Sequence, residues 1–294
     1  MNKLGIGVFL QHRWIANLTT NQPSKAKLLY TWASPSNALK QPGVLPISID
    51  STVLNPEPVL IPFEVSPLPT GPWLVFAPHA DDETYGMGGS LLRARAEGVE
   101  THLIVLTDGA LGGAKENLVE IRQREVGEAA RLMGIASLQC WPEADRGLEH
   151  SAGLDVRIAA AIKEIGPATV FFPGPLELHP DHRAAAFAVW SALQRLYQAG
   201  ERPQAIAYEI GVQNPVNLLL DVTAQKDQKE EVMAIYASQN SENNYQELVL
   251  ALDKGRTFSL PPAVKFAEGF YRFNEADLAL SLREVTHKII DLYQ

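Results

Sequence analysis

Between Pro72 and about Asp221 the chain repeats short, uninterrupted apolar runs, each followed by a longer segment with helical spacing. WLVFA (73–77), THLIVLT (101–107), SLQCW (137–141) and ATVFFP (168–173) read as buried strands, because a strand covered on both faces carries no polar alternation. Gly89–Gly98, Leu118–Gly134, Asp155–Ile165 and Asp181–Ala199 read as the helices between and after them. Gly134 is placed to cap the second of these, and Gly166-Pro167 to stop the third. Strand–helix–strand repetition of this kind predicts an α/β fold: a parallel sheet with helices on both faces.

The flanks are different in character. Residues 1–71 are rich in proline, asparagine, serine and threonine, with short apolar runs at Lys27–Trp32 and Val59–Val65. The prolines at 56, 58, 62, 67, 69 and 72 forbid helix through most of Asn55–Pro72. This stretch reads as an extended arm with a few edge strands, ahead of one domain over 72–294. Val222–Gln294 is mostly helical in pattern, with a polar loop at Ser238–Tyr245 and a break at Pro261-Pro262.

Composition removes several function classes. A net charge of −9 argues against a broad grip on nucleic acid or an anionic membrane. The single cysteine, Cys140, excludes an internal disulfide and cysteine-built zinc modules, and reads as a small core residue. No apolar stretch approaches the ~20 residues of a membrane span. Gln11, His12 and Arg13 interrupt the first apolar run too early for a signal peptide, so a cytoplasmic location is the default.

Two clusters carry chemistry. PHADDE (78–83) follows the first strand directly, and HPDH (179–182) follows the fourth and opens a helix. Ligands of open parallel sheets bind at the carboxyl ends of strands, so both clusters should meet on one rim. Several titratable groups packed there call for a compensating cation. Histidine nitrogen and carboxylate oxygen suit zinc, and three protein ligands with a fourth position open make a catalytic site. Such a site acidifies a water, a carboxylate takes its proton, and a histidine can stabilise the oxyanion and protonate a departing amine.

With these residues the chain resembles the PIG-L/LmbE family of metal-dependent N-deacetylases, whose signatures are a PHPDDE-like loop and a later HPDH. The resemblance implies a Rossmann-like three-layer α/β/α sandwich, one zinc ion per chain and hydrolysis of an N-acyl bond on a GlcNAc-type sugar. It implies His79, Asp82 and His182 as metal ligands, Asp81 as general base, and His179 as the group that stabilises the tetrahedral intermediate and acts as acid. Asp181 would orient His179 or a ligand. Thr107-Asp108-Gly109, IRQREVGEAARLMG (121–134), Asp145 and AEGF (267–270) resemble further family features. Position 80 is alanine where the family has proline, which removes a backbone restraint but no functional group.

Substrate-side candidates are Arg122, Asp108 and Arg146. Arg122 could instead pair with Glu125 one turn along its helix; Arg183 is a weaker candidate. His12, His102 and His150 read as ordinary histidines, and Trp73, Trp141 and Trp190 as core. Trp14 and Trp32 could stack on a sugar. The expected partner is a small-molecule or glycoconjugate substrate, and a homo-oligomer is compatible with the arm. Two other readings stand beside the sugar deacetylase: a zinc amidohydrolase of a non-sugar N-acyl metabolite, and a metal-containing sugar-binding protein without catalysis.

Overall fold

A computed structural model describes residues 55–294. The readings placed on residues 1–54, including the run Lys27–Trp32 and His12, Trp14 and Trp32, lie outside the described residues. The elements, in order, are α1 (Glu57–Leu60), β1 (Trp73–Ala77), α2 (Asp82–Ala96), β2 (Thr101–Thr107), α3 (Leu118–Met133), β3 (Ser137–Glu143), α4 (Ala152–Ile165), β4 (Thr169–Pro173), α5 (Pro180–Gln198), β5 (Gln204–Tyr208), β6 (Leu218–Asp221), α6 (Lys226–Ile235), α7 (Ala237–Asn240), α8 (Tyr245–Gly255), β7 (Ala267–Arg272) and α9 (Leu282–Ile290), joined by short 3-10 turns.

The seven strands form one sheet in the order β3-β2-β1-β4-β5-β7-β6. The first five in that order run parallel, and β7 is antiparallel to both β5 and β6. Alternate side chains feed two cores. Leu74, Phe76, Ile104, Leu106, Val170 and Phe172 face the layer of α4, α5 and α9. Trp73, Val75, Ala77, Leu103, Val105 and Phe171 face the layer of α2, α3 and α6. Period-two alternation with both faces apolar is what a sheet covered by helices on both sides requires, and Trp73, Trp141 and Trp190 are buried as expected.

The four sequence strands are present, and α3 and α4 end on Gly134 and Gly166 in the left-handed conformation. Three readings need amending. The first long helix begins at Asp82, ahead of Gly89, and is broken at Met87 (φ −149°, ψ 23°). Its glycines are dictated by packing: a Cβ on Gly86 would lie 2.3 Å from the Glu209 carbonyl oxygen. The C-terminal zone is mostly helical as expected, but it also supplies the strand β7, which fills the gap between β5 and β6. Cys140 is exposed, not core, since β3 is an edge strand.

The segment 55–71 holds a single helical turn, α1, between its prolines and lies along the domain. The Ser66 backbone N–H donates to Leu219 O, and Leu219 N donates back to Ser66 Oγ, at 2.8 and 3.3 Å. Thr169 Oγ1 donates to Thr70 O. No helix among the described residues is long and apolar enough to cross a membrane.

The chain order turns outward in opposite directions from β1 and β4, which are parallel neighbours with Trp73 opposite Thr169. That switch point opens a crevice at the carboxyl ends of the two strands. The loops leaving it are PHAD and GPLELH.

Candidate active site and metal centre

Both clusters meet in this crevice. His79 and Asp82 come from the β1–α2 connection, and His179, Asp181 and His182 from the start of α5. One carboxylate oxygen, Asp82 Oδ2, lies 3.0 Å from His79 Nδ1 and 3.3 Å from His182 Nε2. Ligand atoms on a tetrahedral zinc with ~2.0–2.1 Å bonds stand about 3.3 Å apart, a spacing close to that of each of these two pairs. The other ring nitrogens face carboxylates. His79 Nε2 is 3.0 Å from Asp181 Oδ2 and 3.3 Å from Asp145 Oδ1. His182 Nδ1, otherwise without a hydrogen bond, is 3.5 Å from Glu177 Oε2. Histidine ligands need this arrangement, with the second nitrogen held as a donor to an acid. Two other groupings share His79: one with His179 and His182, one with Asp145 and Asp181. Asp145 and Asp181 are already occupied by backbone donors, Leu111 N on one and Arg146 N and Leu148 N on the other. They are better suited to receive the imidazole N–H.

Electrostatics follow from burial. Asp81, Asp82, Glu83, Asp145, Glu177 and Asp181 are all buried, against the buried cation Arg122. Burial alone would raise Asp82, but His182 and His79 hold it well below the usual carboxylate range. Burial alone would lower His182; Asp82 and Glu177 overcome it and push it up to about 9. His79 is likewise raised, against burial, by Asp145, Asp181 and Asp82. His179 is lowered, by its own partial burial and by the two neighbouring imidazoles. A buried acidic ring of this kind offers a divalent cation strong compensation, and binding one would release any proton on the ligand nitrogens.

Asp81 is set apart. Its backbone has φ +147°, which L residues rarely adopt. The strain is held from two sides. Arg122 Nη2 donates to Ala80 O at 3.1 Å and pairs with Asp81 Oδ2 at 3.3 Å, while Glu83 Oε2 accepts from Asp81 N. Glu83 is fixed in turn by the hydroxyls of Tyr236 and Thr84. The loop therefore keeps its shape without the proline that position 80 lacks. Burial raises Asp81 to about 7 in spite of Arg122.

A cavity of about 540 Å³ opens above these groups; His79, Asp81, Asp82, Arg122, Arg146, His179 and His182 all reach it. Arg122 pairs with Asp81, not Glu125; Glu125 accepts from Ser238 N and Oγ. Arg146 is exposed at the cavity wall, and its backbone N–H donates to Asp181. Asp108 is outside the lining: its Oδ1 accepts from Ala110 N and Asp145 N and closes the turn after β2. Asp181 contacts His79 at 3.0 Å but is 4.0 Å from His179 Nδ1, so of the two histidines it orients the former. Arg183 is spent on the carbonyls of Glu177 and Leu178. His102 and His150 pair with Glu100 and Asp155 away from the crevice.

Sequence reasoning missed Glu177. Within PLEL nothing marks it out except its place two residues ahead of HPDH. Its carboxylate is buried and accepts from Ile210 N, Gly211 N and Asn214 Nδ2 at 3.0–3.2 Å.

The chain is similar to several known proteins. The profile of the PIG-L family, GlcNAc-PI de-N-acetylase, matches residues 74–193. "Probable N-acetyl-alpha-D-glucosaminyl L-malate deacetylase 2" of Bacillus anthracis is 31% identical over 186 residues, covering 56% of this chain and 80% of that protein. The conserved protein TT1542 of Thermus thermophilus superposes with a TM-score of 0.61 at 29% identity, over 69% of this chain and 94% of that one. N,N'-diacetylchitobiose deacetylase of Pyrococcus horikoshii shares the fold with a TM-score of 0.63 at 23% identity, over 71% and 86% of the two chains.

Proposed function

We propose, since the chain belongs to the PIG-L family of de-N-acetylases, that it hydrolyses the acetamide of an N-acetylglucosamine-type amino sugar or glycoconjugate. The observation that supports this most is the placement of Asp81. Its buried carboxylate lines the same cavity as His79, Asp82 and His182, where the partly exposed His179 ring packs 4.8 and 5.1 Å from those of His79 and His182.

His79 Nδ1, Asp82 Oδ2 and His182 Nε2 would hold one divalent cation, and two nitrogens with one carboxylate oxygen favour zinc. The bound ion supplies Lewis acidity, polarising the amide carbonyl and acidifying a water. Asp81, fixed by Arg122, accepts the proton of the attacking water. His179 would donate a proton to the departing nitrogen. Asp181 and Asp145 keep His79 oriented through Nε2. The expected substrate is a small or conjugated amino sugar, and the expected location is cytoplasmic.

Acetate release from a panel of N-acetylhexosamine derivatives tests the reading, with bound zinc quantified in the same samples. Asp81→Asn is expected to lower kcat by roughly 10²–10⁴-fold while zinc content stays the same. Full activity in that variant would remove Asp81 from the mechanism. No acetate from any sugar, in protein holding one metal per chain, would move the activity to a non-sugar amide.

A further inference from the structure

The proposed mechanism leaves one short segment without a task. YASQN (236–240) joins α6 to α7, and its Gln239 lines the cavity. Three other side chains of the segment do not; they bond to the two helices that hold the loop of Asp81. Tyr236, fully buried, donates its hydroxyl to Glu83 Oε1 on α2. Ser238 donates N–H and Oγ–H to the two oxygens of Glu125 on α3, the N–H at 2.9 Å. Asn240 Oδ1 accepts from the Tyr85 hydroxyl on α2 at 2.8 Å, and Asn240 Nδ2 donates to Met233 O near the end of α6 at the same distance.

The attachment points are not scattered. Glu83 and Tyr85 lie in the first turn of α2, just past Asp81. Glu125 lies one helical turn past Arg122 on the same face of α3, and Arg122 pairs with Asp81. The segment is therefore pinned to both supports of Asp81. The decisive bond passes through Glu83, whose carboxylate serves two sides. Oε1 accepts the hydroxyls of Tyr236 and Thr84, and Oε2 accepts the Asp81 N–H at 3.3 Å. A carboxylate buried this deeply keeps its place only while its oxygens have donors. Without the Tyr236 hydroxyl, Oε1 keeps Thr84 alone, and the side chain can turn off the Asp81 amide. That amide belongs to a residue at φ +147°, a conformation held by its surroundings.

We infer that YASQN is a positioning segment for the base. Tyr236, acting through Glu83, fixes the backbone of Asp81 so that its carboxylate stays aimed into the cavity, and Ser238 keeps Tyr236 in register with the helix that supplies Arg122. This rests on the deacetylase reading and adds to it two residues, neither of which lines the cavity.

Tyr236→Phe keeps the ring and loses one bond. It is assayed as the full-length, zinc-loaded enzyme on the N-acetylhexosamine derivative that releases most acetate. There kcat is expected to fall roughly tenfold or more, with KM and bound zinc changed by less than about twofold, because a small displacement of a reacting group costs rate and not affinity. Ser238→Ala, which keeps the backbone bond to Glu125, should lose several-fold in kcat. An unchanged kcat in Tyr236→Phe, even with a lower melting temperature, would overturn the inference, and so would a raised KM at constant kcat. Amide hydrogen exchange gives a readout that needs no turnover. Exchange at the Asp81 amide should quicken about tenfold or more in Tyr236→Phe, while that of α9, in the opposite layer, stays the same. If no sugar is deacetylated, quickened exchange keeps the positioning of Asp81 and discards the deacetylase. Unchanged exchange with acetate release intact does the reverse.

Discussion

Glu177 joins two tasks in one side chain. It faces the free nitrogen of His182 and holds the backbone of Ile210 and Gly211, which forms part of the cavity wall. Glu177→Gln presents an amide N–H₂ to a ring nitrogen that should be a donor, which disfavours the tautomer with Nε2 free. Zinc affinity, measured by competition with a chelator, is expected to fall about 10–100-fold; unchanged affinity would leave Glu177 a loop anchor only. At this scale the sequence was a good guide to which side chains of short motifs the fold brings together. His79, Asp82, His179 and His182 were identifiable because two compact motifs sit at strand ends. Glu177 was not, because its significance lies in loops brought near it from 210–214. Arg122 was singled out, but its partner Asp81 lies 41 positions away, and helical spacing suggested the wrong one, Glu125. The exposure of Cys140 depends on which strand is the edge, and its own sequence neighbours do not say.

Among the elements, α2 is the one on which the site depends most. Asp82 and Glu83 sit in its first turn, before the break at Met87. The second part needs a new cap, and Glu268 on β7 provides it: Oε1 accepts from Gly89 N and Oε2 from Ser90 N, at 2.8 and 2.7 Å. This gives AEGF a structural role, and it explains why a strand lies in a region of otherwise helical pattern. Glu268→Gln keeps one acceptor and misplaces a donor against a backbone N–H. It should cost roughly 1–3 kcal/mol, read by urea denaturation, and an unchanged midpoint would show that the cap is dispensable. The strands β1 to β4 were legible from continuous apolar runs. The start of α2 was hidden, because Gly86, Gly88 and Gly89 look like helix breakers until Tyr208 and Val222 are seen to leave no room for a Cβ at the first and last of them.

Over the whole molecule, Lys229 of α6 binds Asp253 of α8 and Glu268 of β7, each at 2.7 Å, inside the fold. Burial raises Asp253 to about 7, with Lys229 opposing and Glu268 assisting. A carboxyl raised on folding contributes stability that is fully present below its unfolded pKa of about 4 and is lost as pH rises through about 7. Denaturation midpoints across pH 4.5–8 should show wild type losing stability relative to Asp253→Asn up to about pH 7, then running parallel. A difference that stays constant with pH would mean Asp253 is ionised throughout.

The stretch ahead of β1 bears on how the protein can be shortened. Its prolines suggest a dispensable leader, and Pro72 looks like a natural place to cut. Yet Ser66 occupies both backbone groups of Leu219 on the outer side of β6, the end strand of the sheet, and Ser259, Tyr293 and Leu292 are tied to Pro62, Leu60 and Asn55. Removing this strip would bare a hydrophobic strand with unpaired amides, the usual seed of sheet-to-sheet association between molecules. A truncated form made for crystals or high-yield expression should therefore begin no later than Asn55, and one begun at Pro72 should precipitate even with every residue of the crevice in place.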